Sequence, residues 1–152
     1  MNEQERPIYT VGQGGAMELA GFDVNELLER FGSPLIVMLE DVVRANCQAY
    51  RAKLEMYPRA RVYYASKAFL STGFCKLIAE EGLGLDVVSW GELHTALAAG
   101  FPPEMILMHG NATTAADMRL ALKSGVGRLT IANREQIERL AAPAAALAPP
   151  AK

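Results

Sequence analysis

The segment Val62–Phe74, VYYASKAFLSTGF, decides how the middle of this chain folds. Its first four residues are β-branched, aromatic or small, which is typical of a buried strand. The strand pattern ends just before Lys67, and a helix-like block, STGFCKLIAEEG, follows at residues 71–82. A strand followed by a helix is the building unit of a parallel sheet.

The same unit recurs along the chain. Short apolar runs return about every 20 to 25 residues, the length of one βα unit, and they occupy residues 62–65, 83–88, 105–108 and 128–131. Three of the helical blocks between and after them end in glycine, as helix C-termini often do. The pattern predicts an α/β fold with a parallel sheet. Periodicity alone leaves open whether the sheet is doubly wound or part of a barrel.

The two ends of the chain differ from this ladder. Residues 1–34 contain one predicted short helix, with Asp23 as its N-cap and Gly32 as its stop. The run SPLIVMLE at residues 33–40 predicts a buried strand, so we assign residues 35–140 to the sheet-forming part. Residues 141–152, AAPAAALAPPAK, carry no charge before the last position and predict a disordered tail.

Composition excludes several classes of function. The 152 residues are 51% apolar with a formal net charge of −2, and no run of one charge suggests nucleic-acid binding. Cys47 and Cys75 have no paired spacing and are expected to be free thiols of the cytoplasm. No apolar run reaches the length of a signal peptide core or a membrane span, so we expect a soluble protein. GQGG at residues 12–15 lacks phosphate-loop spacing, which favours a turn over a nucleotide site.

Polar side chains follow the predicted strands. Functional residues gather at the C-terminal ends of parallel strands in open sheets and in barrels alike. His94 and His109 have no second ligand at metal spacing, so no metal site is predicted. The candidates at strand ends are Lys67, Asp86 with Ser89, His109 with Asn111, and Asn133.

Lys67 and Asp86 are the chemically unusual members of this set. Loss of solvation lowers the pKa of a lysine amine, so that the amine becomes neutral more easily. A neutral amine forms Schiff bases with carbonyls. The alternative is a lysine that extends into solvent at the strand end. Asp86 interrupts an apolar strand and needs a partner, and we expect the neighbouring strand to bring Lys67 within reach. The alternative role, capping the next helix, suits Ser89 better.

Three ordered motifs carry a family resemblance. YYASKAF at residues 63–69, GLGLDVVSWGEL at residues 82–93 and ILMHGNAT at residues 106–113 resemble the start of the barrel domain of the pyridoxal-phosphate-dependent amino-acid decarboxylases of the alanine-racemase-like fold. Within that family the chain is most similar to the diaminopimelate decarboxylases. The resemblance runs from about residue 36 to residue 140 and rests on consecutive strand ends.

The resemblance implies a fold and a role for each matching residue. The fold would be a partial (β/α) barrel of about four βα units, without the second half and the C-terminal β-domain. Lys67 would hold pyridoxal 5'-phosphate as a Schiff base, and Asp86 would help to set the protonation of that amine. Ser89, His109 and Asn111 would line the cofactor side. Ala132 stands where the family usually has an aspartate.

The resemblance also implies an activity. It is the decarboxylation of meso-diaminopimelate to L-lysine, a step of lysine biosynthesis, by a homodimer that binds a small amino-acid substrate. Because the family's phosphate loop and ring-stacking histidine come later, we expect this short chain to be a truncated fragment that is inactive alone. The alternatives are another barrel enzyme with the same cofactor, such as an ornithine or arginine decarboxylase or an amino-acid racemase, and a non-catalytic half-barrel that binds a full-length homologue.

Overall fold

A computed structural model describes residues 8–110 and 113–147. The chain divides into two compact units, Met1–Ala45 and Asn46–Lys152. In the part of the chain that the structure describes, no helix is long and apolar enough to cross a bilayer.

The first unit contains a small antiparallel sheet and a helix. Its elements are β1 (Thr10–Val11), β2 (Met17–Leu19), β3 (Phe22–Asp23) and α1 (Val24–Phe31), with the strands in the order β1-β2-β3. The predicted turn at residues 12–15 is confirmed, because Gly15 N donates to Gly12 O within the β1–β2 connection. The predicted helix is confirmed as well, since the Asp23 side chain accepts from Asn25 N at 2.7 Å and Gly32 ends the helix at φ 84°.

The buried strand predicted for residues 33–40 is wrong. Residues 35–39 are irregular, and the side chain of Ile36 is 85% exposed. An apolar run forms a strand only where a neighbouring strand satisfies its backbone N–H and C=O groups. Among the described residues, none pairs with this segment.

The second unit contains a four-stranded parallel sheet in the order β4-β5-β6-β7. Its strands are β4 (Tyr63–Ala65), β5 (Gly84–Val87), β6 (Ile106–Met108) and β7 (Arg128–Leu129). The helices are α2 (Glu40–Leu54), which begins before the unit boundary, α3 (Thr72–Glu80), α4 (Trp90–Ala98), α5 (Ala115–Lys123) and α6 (Arg134–Leu147). Short 3₁₀ turns at Ser66–Ala68 and Pro103–Met105 complete it. The predicted ladder of four βα units is confirmed.

Successive side chains along each strand point to opposite faces of this sheet. One face packs under the helices, and its core is formed by Leu85, Val87, Ile106 and Met108 from the strands with Ile78, Leu93, Ala96 and Ala121 from the helices, none more than 1% exposed. Each fully buried large apolar side chain stabilises the fold by about 1.5 to 3 kcal/mol. The opposite face carries the in-register row Ala65, Asp86 and Leu107, all half-buried.

Three helices end at the glycines that the sequence predicts as helix C-termini. Residues 82, 100 and 125 follow α3, α4 and α5 with φ of 70°, 76° and 74°, a backbone conformation that favours glycine. The last helix is longer than predicted: residues 141–147, assigned to a disordered tail, are helical through Pro143. Alanine is the strongest helix former, which accounts for this continuation. Residues 148–152 lie outside the described residues.

Candidate active site

Lys67 lies where β4 ends, in the 3₁₀ turn Ser66–Ala68. Its side chain is exposed, and among the described residues its amine makes no hydrogen bond or ion pair. Exposure alone agrees with the solvated-lysine alternative. The turn itself is fixed, because Ser66 is 2% exposed and its Oγ lies 2.7 Å from Asp86 O.

A second contact holds the far side of this turn. The Tyr64 hydroxyl donates to Phe69 O at 3.0 Å, and its ring packs against Phe74 with centroids 4.9 Å apart. A tyrosine phenol is protonated at neutral pH, and burial raises the pKa of Tyr64 further, so the hydroxyl is a hydrogen-bond donor. Lys67 is therefore an exposed amine on a backbone that is anchored on both sides.

Asp86 finds its partner in His109 rather than in Lys67. His109 Nε2 lies 3.1 Å from Asp86 Oδ1 and 3.2 Å from Oδ2, and only the contact with Oδ2 has the geometry of a hydrogen bond. The His109 side chain is 38% exposed and that of Asp86 is 22% exposed. His109 follows β6, and its backbone N–H donates to Val87 O at 3.0 Å, which fixes the residue beside the end of β5.

One oxygen of this carboxylate has a contact, with His109 Nε2, but no hydrogen bond. Asp86 Oδ1 is buried and accepts no hydrogen bond from any residue that the structure describes. A buried acceptor without a donor is unfavourable by about 1 to 3 kcal/mol. A ligand that brings an N–H or O–H group to this position would satisfy Oδ1.

The other predicted site residues have different surroundings. Ser89 caps α4, its Oγ accepting from Glu92 N at 3.3 Å, and Asn133 caps α6, its Oδ1 accepting from Gln136 N at 2.9 Å. Asn111 lies outside the described residues. Trp90 is 59% exposed, with its ring 6.0 Å from that of His94, so this ring lies at the surface and outside the core.

Glu92 is a site residue that the sequence reasoning missed. Its Oε2 accepts from Val88 N at 2.7 Å and lies 2.6 Å from Ser66 Oγ, directly beside Lys67. A signal was present in the sequence, because Ser89 followed three residues later by a glutamate is the spacing of a capping box. That motif predicts a local helix cap, and nothing in it indicates contact with another strand.

Comparison with known proteins places this arrangement in a family. Residues 40–148 match the family model described as "Pyridoxal-dependent decarboxylase, pyridoxal binding domain". The chain belongs to this family. It is 42% identical to the diaminopimelate decarboxylase of Actinosynnema pretiosum over 136 residues, which is 90% of this chain and 30% of that protein. It is also 42% identical to the Bacillus subtilis diaminopimelate decarboxylase over 84% of this chain and 29% of that protein.

Solved structures of relatives confirm the fold class of the chain. AQ1208 from Aquifex aeolicus superposes with a TM-score of 0.84 at 32% identity, covering 93% of this chain and 35% of that one. Diaminopimelate decarboxylase from M. jannaschii, in co-complex with L-lysine, superposes with a TM-score of 0.80 at 27% identity, covering 91% and 33%. The chain therefore spans about a third of the solved relatives' length and 28–30% of the length of curated relatives such as the Mycobacterium tuberculosis H37Rv and A. pretiosum enzymes.

The described residues fit the cofactor that the family name implies. Pyridoxal phosphate needs a free amine for attachment, and Lys67 presents one at the end of β4. Asp86 is the register partner of Ala65, two residues before Lys67, so the lysine and the carboxylate lie at the same end of adjacent strands. In the described ranges, no three His, Cys, Asp or Glu side chains form a group that could hold a metal ion.

Proposed function

We propose that this chain carries the cofactor lysine of a pyridoxal-phosphate-dependent decarboxylase that converts meso-diaminopimelate to L-lysine and carbon dioxide. The observation that carries the proposal is the exposed Lys67 amine in the turn that ends β4, at the same end of the sheet as Asp86 in the adjacent strand. Relatives at 42% identity that are diaminopimelate decarboxylases support the choice of substrate.

Each residue has a role that its position supports. Lys67 would hold pyridoxal phosphate through Nζ. Asp86 would accept a hydrogen bond from the protonated amine or cofactor through Oδ1, and His109 would orient this carboxylate through its contact with Oδ2. Ser89 and Asn111 stay predictions as cofactor contacts. When bound, pyridoxal phosphate supplies the electron sink that stabilises the carbanion left by carbon dioxide.

The wider setting follows from the same proposal. Cys47 and Cys75 are both buried, and buried cysteines agree with a reducing compartment such as the cytoplasm, where lysine biosynthesis would take place. The homodimer implied by the resemblance stays a prediction.

The test joins this chain to the remainder of a relative, because the relatives are longer. In the Bacillus subtilis diaminopimelate decarboxylase, the matching segment is replaced by this chain, and the chimera is assayed for carbon dioxide release from meso-diaminopimelate, ornithine and arginine. We expect release from meso-diaminopimelate and loss of that release in the Lys67→Ala chimera.

Two results would contradict the proposal. Release from ornithine or arginine in preference to meso-diaminopimelate would assign a different substrate. A folded chimera that contains pyridoxal phosphate but decarboxylates none of the three would show that this segment does not support the reaction. Circular dichroism and cofactor absorbance establish that the chimera is folded and loaded.

A further inference from the structure

We propose that Glu92 is a positioning residue for Lys67, an inference that rests on the proposed function of Lys67. Glu92 lies in the first turn of α4. Its Oε2 bonds Val88 N, which follows β5, and Ser66 Oγ, which precedes Lys67 in the chain. One carboxylate oxygen thus joins the end of β5 to the turn that carries the lysine.

The contacts of Ser66 make this connection tight. Its Oγ lies 2.6 Å from Glu92 Oε2 and 2.7 Å from Asp86 O. The hydroxyl has one hydrogen, so it donates to one of these two oxygens at a time. Because Lys67 itself makes no polar contact with the described residues, its location depends on this turn.

Helix capping alone does not require this geometry. In α5 the corresponding acid, Asp117, accepts from the N–H and the hydroxyl of its own cap residue Thr114, each at 2.7 Å. Glu92 is one methylene longer and passes its own cap, Ser89, to reach the preceding residue and a neighbouring strand end. The longer Glu92 side chain therefore joins two strand ends, a contact that Asp117 in α5 does not make.

The same arrangement recurs at the ends of β6 and β7. Gln136, in the first turn of α6 and 4% exposed, accepts from Ala132 N at 2.7 Å and donates from Nε2 to Gly110 O at 3.3 Å. Gly110 is the chain neighbour of His109, and Ser66 is the chain neighbour of Lys67. In α4 and in α6, a long polar side chain in the first turn thus contacts two strand ends. One of the two contacted residues is in each case next in the chain to a candidate site residue.

The experiment measures where pyridoxal phosphate attaches. The chimera with the remainder of the Bacillus subtilis relative is incubated with pyridoxal phosphate and reduced with borohydride, and mass spectrometry quantifies the adduct on each lysine of this chain's segment. The readout is the ratio of adduct on Lys67 to adduct on Lys76, which is also exposed and lies on α3. General unfolding does not favour one exposed lysine over the other, so the ratio reports the Lys67 turn.

Three variants separate the explanations. In Glu92→Ala we expect the ratio to fall about three- to tenfold, the factor given by one or two ordinary hydrogen bonds. In Glu92→Gln we expect it to stay within about twofold, because one amide oxygen can accept both bonds that Oε2 accepts. Asp117→Ala is the matched control, since it removes the acid at the same helix position of α5, and we expect no change.

Each outcome decides a different point. A ratio near one in the chimera with the unaltered segment would overturn the role of Lys67 itself. A high wild-type ratio that Glu92→Ala leaves unchanged would overturn the positioning role alone. An equal fall in Glu92→Gln and Glu92→Ala would overturn positioning by hydrogen bonds and assign the effect to charge. If circular dichroism shows that Glu92→Ala is unfolded, Ser66→Ala decides, and an unchanged ratio there contradicts the proposal.

Discussion

The pairing of Asp86 with His109 can be measured with a double-mutant cycle. The variants are Asp86→Ala, His109→Ala and the double variant, and the measured quantity is the free energy of unfolding in urea, followed by circular dichroism. Exposed ion pairs couple by about 0.2 to 1 kcal/mol, and breaking a buried pair costs about 3 to 5 kcal/mol. The side chains are 38% and 22% exposed and make one contact with hydrogen-bond geometry, so we expect a coupling energy of about 1 to 1.5 kcal/mol.

The chain offers a control pair at the same separation. Arg134 Nε lies 3.1 Å from Glu138 Oε1 on α6, but these side chains are 91% and 65% exposed. Their cycle should give about 0.3 kcal/mol, the value of a solvated i, i+4 pair. Equal coupling energies in the two cycles would refute the argument that partial burial strengthens the Asp86–His109 contact. A coupling below about 0.3 kcal/mol for that contact would refute the pairing itself.

Three further predictions concern the sheet and its core. Leu85→Ala should lower the free energy of unfolding by about 2 to 5 kcal/mol in urea, against less than about 0.5 kcal/mol for the exposed Ile36→Ala; equal losses would contradict the assigned core. Gly84→Ala should cost about 1 to 3 kcal/mol, because a Cβ there would lie 2.9 Å from Met105 O, and an unchanged urea midpoint would disprove this close approach. Burial raises the pKa of the Cys75 thiol, so iodoacetamide should label it only in the unfolded chain; rapid labelling of the native chain would be inconsistent with its 0% exposure.

Much of the fold could be predicted from local patterns. The strands at residues 63–65, 84–87, 106–108 and 128–129 lie inside the predicted apolar runs. These predictions succeed because a strand buried under helices needs a continuous apolar run, and because the backbone after a helix favours glycine. Both requirements act within a few residues, so the sequence alone reveals them.

Features that depend on distant residues could not be predicted. The run at residues 35–39 is as apolar as a buried strand, yet strand formation needs a pairing partner that the sequence does not identify. The need of Asp86 for a partner was predictable, but the choice of His109 over Lys67 depends on where each side chain lies at its strand end. The same holds for Glu92. Its place in a helix cap can be predicted from the sequence, but its contact with Ser66 on the adjacent strand end cannot.

The central claim is that pyridoxal phosphate attaches to Lys67 at the C-terminal edge of the parallel sheet. The most direct measurement is the distribution of borohydride-reduced pyridoxyl adduct over the lysines of this segment, in the chimera with the remainder of the Bacillus subtilis relative. Lys53, Lys76 and Lys123 are also exposed and serve as internal references. We predict that Lys67 carries several-fold more adduct than any of these three. Equal labelling of all four lysines would contradict the claim.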